Sequence, residues 1–105
     1  MRFEIVLAPV AARALRDLPA KARGEVRDAV ERHLRHEPSK TSKSRIKRLR
    51  GLQQPQYRLR INQIRVFYDV TATTVEILAI IAKHEAQGWL DEEGTPAEDR
   101  RSGEG

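Results

Sequence analysis

Nine basic residues and no acidic one lie between Glu37 and Asp69: Lys40, Lys43, Arg45, Lys47, Arg48, Arg50, Arg58, Arg60 and Arg65. A folded domain seldom holds so many like charges in one stretch unless an anion docks against them. The last three fall in YRLRINQIRVFYDV, which reads as a β-hairpin. Tyr57, Leu59 and Ile61 take one face of its first strand, and Arg58 and Arg60 take the other. With Asn62-Gln63 as a two-residue turn, Ile61 faces Ile64, Arg60 faces Arg65 and Arg58 faces Phe67. Two arginines directly opposite each other have Cβ atoms about 5 Å apart and repel. A phosphate bridging them relieves that repulsion, because guanidinium groups grip phosphate through paired N–H donors.

The elements that hold this hairpin follow from apolar spacing. Phe3, Ile5 and Leu7 alternate with Arg2, Glu4 and Val6, so the chain opens with a strand. Pro9 suits the first turn of a helix, whose apolar face is Val10, Ala11, Ala14, Leu15 and Leu18. Pro19 ends it and starts a second, striped by Ala22, Val26, Ala29, Val30 and Leu34, which Pro38 terminates. Residues 38–56 are expected to be irregular and mobile, with Ile46, Leu49 and Leu52 as anchors and a turn at Gly51. Strands follow at 56–61, 64–70 and 74–82. The last is apolar on both faces after Glu76 and belongs in the centre of a sheet. KHEAQGWL reads as a short terminal helix, with Trp89 and Leu90 folded back on the core.

The expected fold class is α+β. An N-terminal strand and a helical hairpin pack on a mostly antiparallel sheet of about four strands, followed by a short C-terminal helix. Charge divides the chain into two parts. Residues 1–90 carry 18 Lys+Arg against 9 Asp+Glu, and residues 91–105 carry 2 against 6. The first part is expected to be the domain and the second an acidic, disordered tail. Cysteine is absent, which excludes disulfides and thiolate chemistry. No long apolar run is present, and MRFEIVLAP is too short and too charged for a signal peptide, so no membrane association and a cytoplasmic location are expected.

An opening β-α-α, then Lys47-Arg48-Leu49-Arg50-Gly51, then Y-R-L-R at 57–60, I-R-V-F-Y at 64–68 and an apolar strand resemble the RelE/ParE superfamily of bacterial toxins. The match spans about residues 3–90. The resemblance implies a toxin of a type II toxin–antitoxin pair, held inactive by a cognate antitoxin protein. RelE-type members enter the ribosome and cleave mRNA, whereas ParE-type members share the fold and inhibit DNA gyrase. Carried over by position, Arg58, Arg60 and Arg65 fall on the basic positions of the hairpin. The chain departs from the family in three places. Lys83-His84 stands where an arginine is usual, Trp89-Leu90 where a tyrosine is frequent, and arginines stand where the best-known pattern has lysines.

The chemistry so implied is metal-independent RNA cleavage with no cofactor. A base must take the 2′-OH proton, cations must stabilise the crowded phosphorane, and an acid must protonate the leaving oxygen. Arg58, Arg60 and Arg65 suit the cation role but, being always charged, are poor proton carriers. His84 is the residue best placed for proton transfer, with Lys83 next and Glu85 third. Lys43, Arg45, Lys47, Arg48 and Arg50 are expected to contact nucleic acid along its backbone. A binding protein acting on gyrase, or an inactive RNA-binding relative, is the competing reading. Tyr57, Tyr68 and Trp89 read as core. His33 and His36 stand three apart on the second helix, but no further ligand accompanies them, so no metal site is expected. No glycine-rich phosphate loop, Ser-His-acid set or paired catalytic carboxylates can be found.

Overall fold

The structure, a computed structural model, describes residues 1–97. β1 (Glu4–Leu7) leads into α1 (Pro9–Asp17) and α2 (Ala20–Leu34). Pro9 opens α1, and Pro19 is the N-cap of α2, so the link between the helices is as short as the proline positions require. Val26, Val30 and Leu34 of α2 and Ala11 and Leu15 of α1 are buried, as expected of each stripe, but Val10, read into the α1 stripe, is 57% exposed because it stands in the first turn, outside the packed face.

Five strands form the main sheet in the order β1-β6-β5-β4-β2. They are β2 (Ile46–Arg48), β4 (Tyr57–Ile61), β5 (Ile64–Val70) and β6 (Thr74–Ala82), with β1 parallel to β6 and the rest antiparallel. β6 lies between β1 and β5, an interior strand as its two apolar faces require, and β5 is the middle one. The 38–56 stretch is more regular than its composition indicates. It contains β2, which adds a fifth strand beside β4, and β3 (Leu52–Gln54). Both are three residues long and pair only with distant partners, so they leave no periodic signal of their own.

α1 and α2 cover the face that carries Leu59, Ile61, Val66, Tyr68, Val75, Ile77 and Ile80. Tyr68 lies at the bottom of this core, stacked on Tyr57 at 5.5 Å, and its hydroxyl donates to the Pro38 carbonyl at 2.7 Å. Burial therefore pushes the Tyr68 phenol well above its ordinary range.

The opposite face of the sheet is only partly covered. α3 (Lys83–Glu93) crosses it and sets Trp89 flat on buried Phe67, with ring centroids 5.0 Å apart. Beyond α3, β7 (Thr95–Pro96) pairs with β3, and the Ala97 N–H donates to the Gly51 carbonyl at 2.9 Å. Residues 91–97, read from composition as the start of the tail, are thus part of α3 and of a two-stranded ribbon. The rest of the expected tail lies outside the described residues.

Candidate nucleic-acid interface

The hairpin pairs in the register read from its sequence: Tyr57 with Tyr68, Arg58 with Phe67, Arg60 with Arg65 and Ile61 with Ile64. Asn62 takes a φ of +52° at the turn, a left-handed conformation that asparagine tolerates. Arg58, Arg60 and Arg65 consequently emerge together on the face away from α1 and α2.

The three arginines differ in how they are held. Arg65 is only 7% exposed, and its Nη1 donates to the carbonyls of Asn62 at 2.9 Å and Ile64 at 3.0 Å. Both acceptors are neutral. Arg58 is half-buried and donates through Nη2 to the Ser44 carbonyl at 3.3 Å, while its Nε is buried with no hydrogen-bond partner. Arg60 is exposed. Burial, followed by the charges of Arg65 and Arg60, lowers the Arg58 guanidinium from its usual value. Burial and Arg60 lower that of Arg65. Both groups stay charged at any physiological pH. The lowered values record first the burial of these guanidinium groups and then the neighbouring cations. Among the described residues, the two ion pairs are Arg35–Glu31 and Lys40–Glu37, and neither touches the hairpin.

The nearest acid in sequence is occupied elsewhere. Asp69 accepts from Gln54 Nε2 at 2.6 Å and from the Gln56 N–H at 2.8 Å. It lies four residues beyond Arg65 on β5, about 13 Å along the strand. Its charge therefore fixes the 54–56 loop rather than neutralising the arginines.

The end of β6 brings the terminal helix to this cluster. Ile81 pairs with Arg65 and Ala82 with Ile64, and the Lys83 N–H donates to the Gln63 carbonyl at 2.7 Å. Lys83 and His84, both exposed, form the first turn of α3 at the hairpin tip. Ala82 caps α3 without a side-chain hydrogen bond. The partial positive charge of a helix start, about half an elementary charge, adds to the same end of the sheet.

The structure divides the basic run Lys43–Arg50 into separate groups. Lys47 pairs with Arg58 and points to the arginine face. Arg48 points the other way: it lies over the Tyr57 ring at 5.3 Å and donates to the carbonyls of Leu49 and Gln56. Arg48 is thus occupied in holding the loop. Arg45 stands beside Arg60, whose N–H donates to the Arg45 carbonyl at 2.9 Å. Lys43 and Arg50 are exposed beyond opposite ends of β2. Trp89 is taken up by Phe67, and Tyr57 and Tyr68 by each other. Ser44 holds Arg58 through its carbonyl, a role that no side-chain pattern announces. Among the described residues, no three His, Asp or Glu side chains are grouped to hold a metal ion. No helix there is long and apolar enough to cross a membrane.

No protein-family model matches the chain, and no curated protein matches it by sequence. Solved structures do match. A chain of the RelB–RelE antitoxin–toxin complex from Methanococcus jannaschii aligns with a TM-score of 0.59 and 16% identity, over 80% of this chain and 96% of that one. A chain of the archaeal RelE–RelB complex from Pyrococcus horikoshii OT3 aligns with a TM-score of 0.59 and 26% identity, over 79% of this chain and 97% of that one. With β1 at the edge of the sheet, the helical hairpin on one face and α3 laid across the other, the chain has a RelE-like toxin fold.

Proposed function

We propose that this protein is the toxin of a type II toxin–antitoxin pair and acts as a ribosome-dependent mRNA endonuclease that stops translation. The observation that carries this reading is the placement of Arg60 opposite Arg65, with the unpartnered Nε of Arg58 one row away and no carboxylate paired with any of them among the described residues. Such a cluster stabilises an anion, and most of all the extra charge of a phosphorane. The three guanidinium groups hold the scissile phosphate, and Lys47 holds a neighbouring one. His84, at the start of α3, transfers the proton, with Lys83 beside it. Because His84 is exposed and attached to the hairpin only through the helix start, the ribosome completes the arrangement. That accounts for an activity that needs the ribosome. The antitoxin likeness of the matched complexes supports a cognate antitoxin as the partner that keeps the site closed.

The test is translation of a defined mRNA by purified ribosomes with the purified chain, followed by primer extension. Cleavage is expected only when ribosomes are present. His84→Ala should lower the cleavage rate by roughly 10²–10⁴, the worth of a positioned proton carrier. Intact mRNA, with arrested DNA synthesis in cells expressing the chain alone, would instead favour the gyrase reading. Intact mRNA that is nevertheless retained by the chain would mark an inactive RNA binder.

A further inference from the structure

Arg45 leads from the arginine face to a second group of cations. With Ser44, Arg60 and Asn62 it lines a cleft of about 230 Å³. On the other side of the sheet edge, the same Arg45 lines a cleft of about 290 Å³ with Arg32, His33, His36, Lys40 and Ser42. Glu37 is the one carboxylate in that lining, and it lies 3.7 Å from Lys40. Both walls are fixed. Ser42 Oγ accepts from the N–H groups of Arg45 at 2.9 Å and Ile46 at 3.2 Å, and the Ser42 N–H donates to the Ile46 carbonyl at 2.9 Å. Arg32 belongs to the last turn of α2 and His36 follows just beyond it, four residues on.

We propose that this cleft is a second RNA-phosphate site, gripping the backbone of a strand that leaves the arginine face and turns over the sheet edge at Arg45. The inference rests on the reading of the arginine face as an RNA site. Its cations other than Arg45 are separate from that face. Arg32, Lys40 and Arg45 converge with one carboxylate among them, and an anion between them removes their mutual repulsion. His33 adds a tunable donor. It is lowered from its ordinary value first by burial and then by Arg45 and Arg32; His36, Glu37 and Lys40 line this cleft with it, and Glu25 and Asp28 line a third cleft, of about 240 Å³, that His33 shares with Arg32 and Arg45. A phosphate would offset both arginines, so His33 gains a proton more easily when RNA is bound.

The phosphates can come from the mRNA strand or from ribosomal RNA. Arg45 serves both clefts, so the test uses the double variant Arg32→Ala/Lys40→Ala, both positions being exposed. The probes are 2′-O-methyl RNA oligonucleotides, which resist cleavage, of about four and about twelve nucleotides. Purified ribosomes are the third probe. The variant should keep its affinity for the short probe within about twofold and lose roughly tenfold for the long one. Its salt slope for the long probe should flatten by about 1.4, the worth of two single-strand phosphate contacts. Loss confined to ribosome binding would also support the site and assign it to ribosomal RNA. Unchanged affinity for all three probes would overturn it. Arg65→Ala, run in parallel, separates the two readings. If it weakens the short probe while the double variant is silent, only the second site falls. If it too is silent, the arginine face itself is wrong.

Discussion

Arg60 and Arg65 oppose each other but are not equivalent, and mutation should show it. Arg60 is exposed and repels both Arg58 and Arg65, so Arg60→Ala removes a repulsion at little cost in packing. Thermal unfolding should shift by a degree or two at most, in either direction, since an opposed like-charge pair costs a few tenths of a kcal/mol. Toxicity should fall by roughly 10²–10³, the worth of one charged contact to a transition state. Arg65→Ala also forfeits two hydrogen bonds to turn carbonyls, and should cost about 1 kcal/mol as well as activity. The opposed pair and its register are legible from alternation and the Asn62-Gln63 turn alone. The burial of Arg65 is not, because it depends on which part of the sheet α3 covers. Arg48 marks a further limit: its neighbour Lys47 points to the arginine face, and the pleat sends Arg48 to Tyr57. His33 offers a check by pH. Its lowered value means that the folded chain disfavours the imidazolium. The stability this represents is whole above about pH 6.5, the unfolded value, and is lost as pH falls through the lower folded one. His33→Gln should flatten the decline of unfolding midpoint below that pH, leaving the midpoint at pH 8 nearly unchanged.

At the scale of elements, long periodic segments were legible and short, non-local ones were not. α1, α2 and strands β4 to β6 each carry their own repeat or turn. β2 and β3 exist only because β4 and β7 lie beside them. The end of α3 was obscured by charge: Asp91, Glu92 and Glu93 look like the start of a solvated tail, yet the helix continues to Glu93 and ends at Gly94. Gly94 is required there by space. A Cβ added to it would stand 2.6 Å from the Leu90 carbonyl oxygen and 3.2 Å from Leu52 Cδ2. The backbone must therefore shift if any side chain is present. Gly94→Ala should detach the β3–β7 ribbon at a cost of about 1–3 kcal/mol. Amide exchange should read this as loss of protection at Ala97, whose N–H donates to Gly51, while protection at Val66 and Ile77 in the sheet is retained. Loss of protection throughout the sheet would mean that the ribbon and the core unfold as one unit. Trp89 on Phe67 is the other attachment of α3, so Trp89→Ala should lower amide protection along the helix beyond its first turn, which the Lys83 N–H to the Gln63 carbonyl still holds, without moving the arginines.

The whole molecule has two unlike sides, and its partners can be told apart by salt. The front is the basic face just described, in a chain with a net charge of +5. The back is apolar. A cleft of about 380 Å³ between the helices and the sheet is lined by Ile5, Leu7, Leu15, Val26, Val30, Ile77 and Ile80, with Arg27 and Glu31 at its edge. RNA bound as proposed would grip the basic groups of the front and of the edge at Arg45 and leave the apolar cleft untouched. Its affinity should therefore fall with a slope of about −0.7 per phosphate on a logarithmic salt scale. An antitoxin of the kind proposed, an acidic amphipathic segment that folds on binding, can use both sides. Its apolar contacts are insensitive to ions, whereas exposed charge pairs are screened within about 10 Å at 0.1 M salt. Titration of the chain with RNA and with the acidic product of the neighbouring gene, over a tenfold range of salt, should give a clearly shallower slope for the protein. At high salt the antitoxin should still displace RNA and restore translation. Equal slopes would mean that the antitoxin is a mere phosphate mimic on the arginine face and leaves the apolar cleft empty. If the chain is not toxic and binds nothing encoded beside it, it is no toxin of such a pair, whatever its fold.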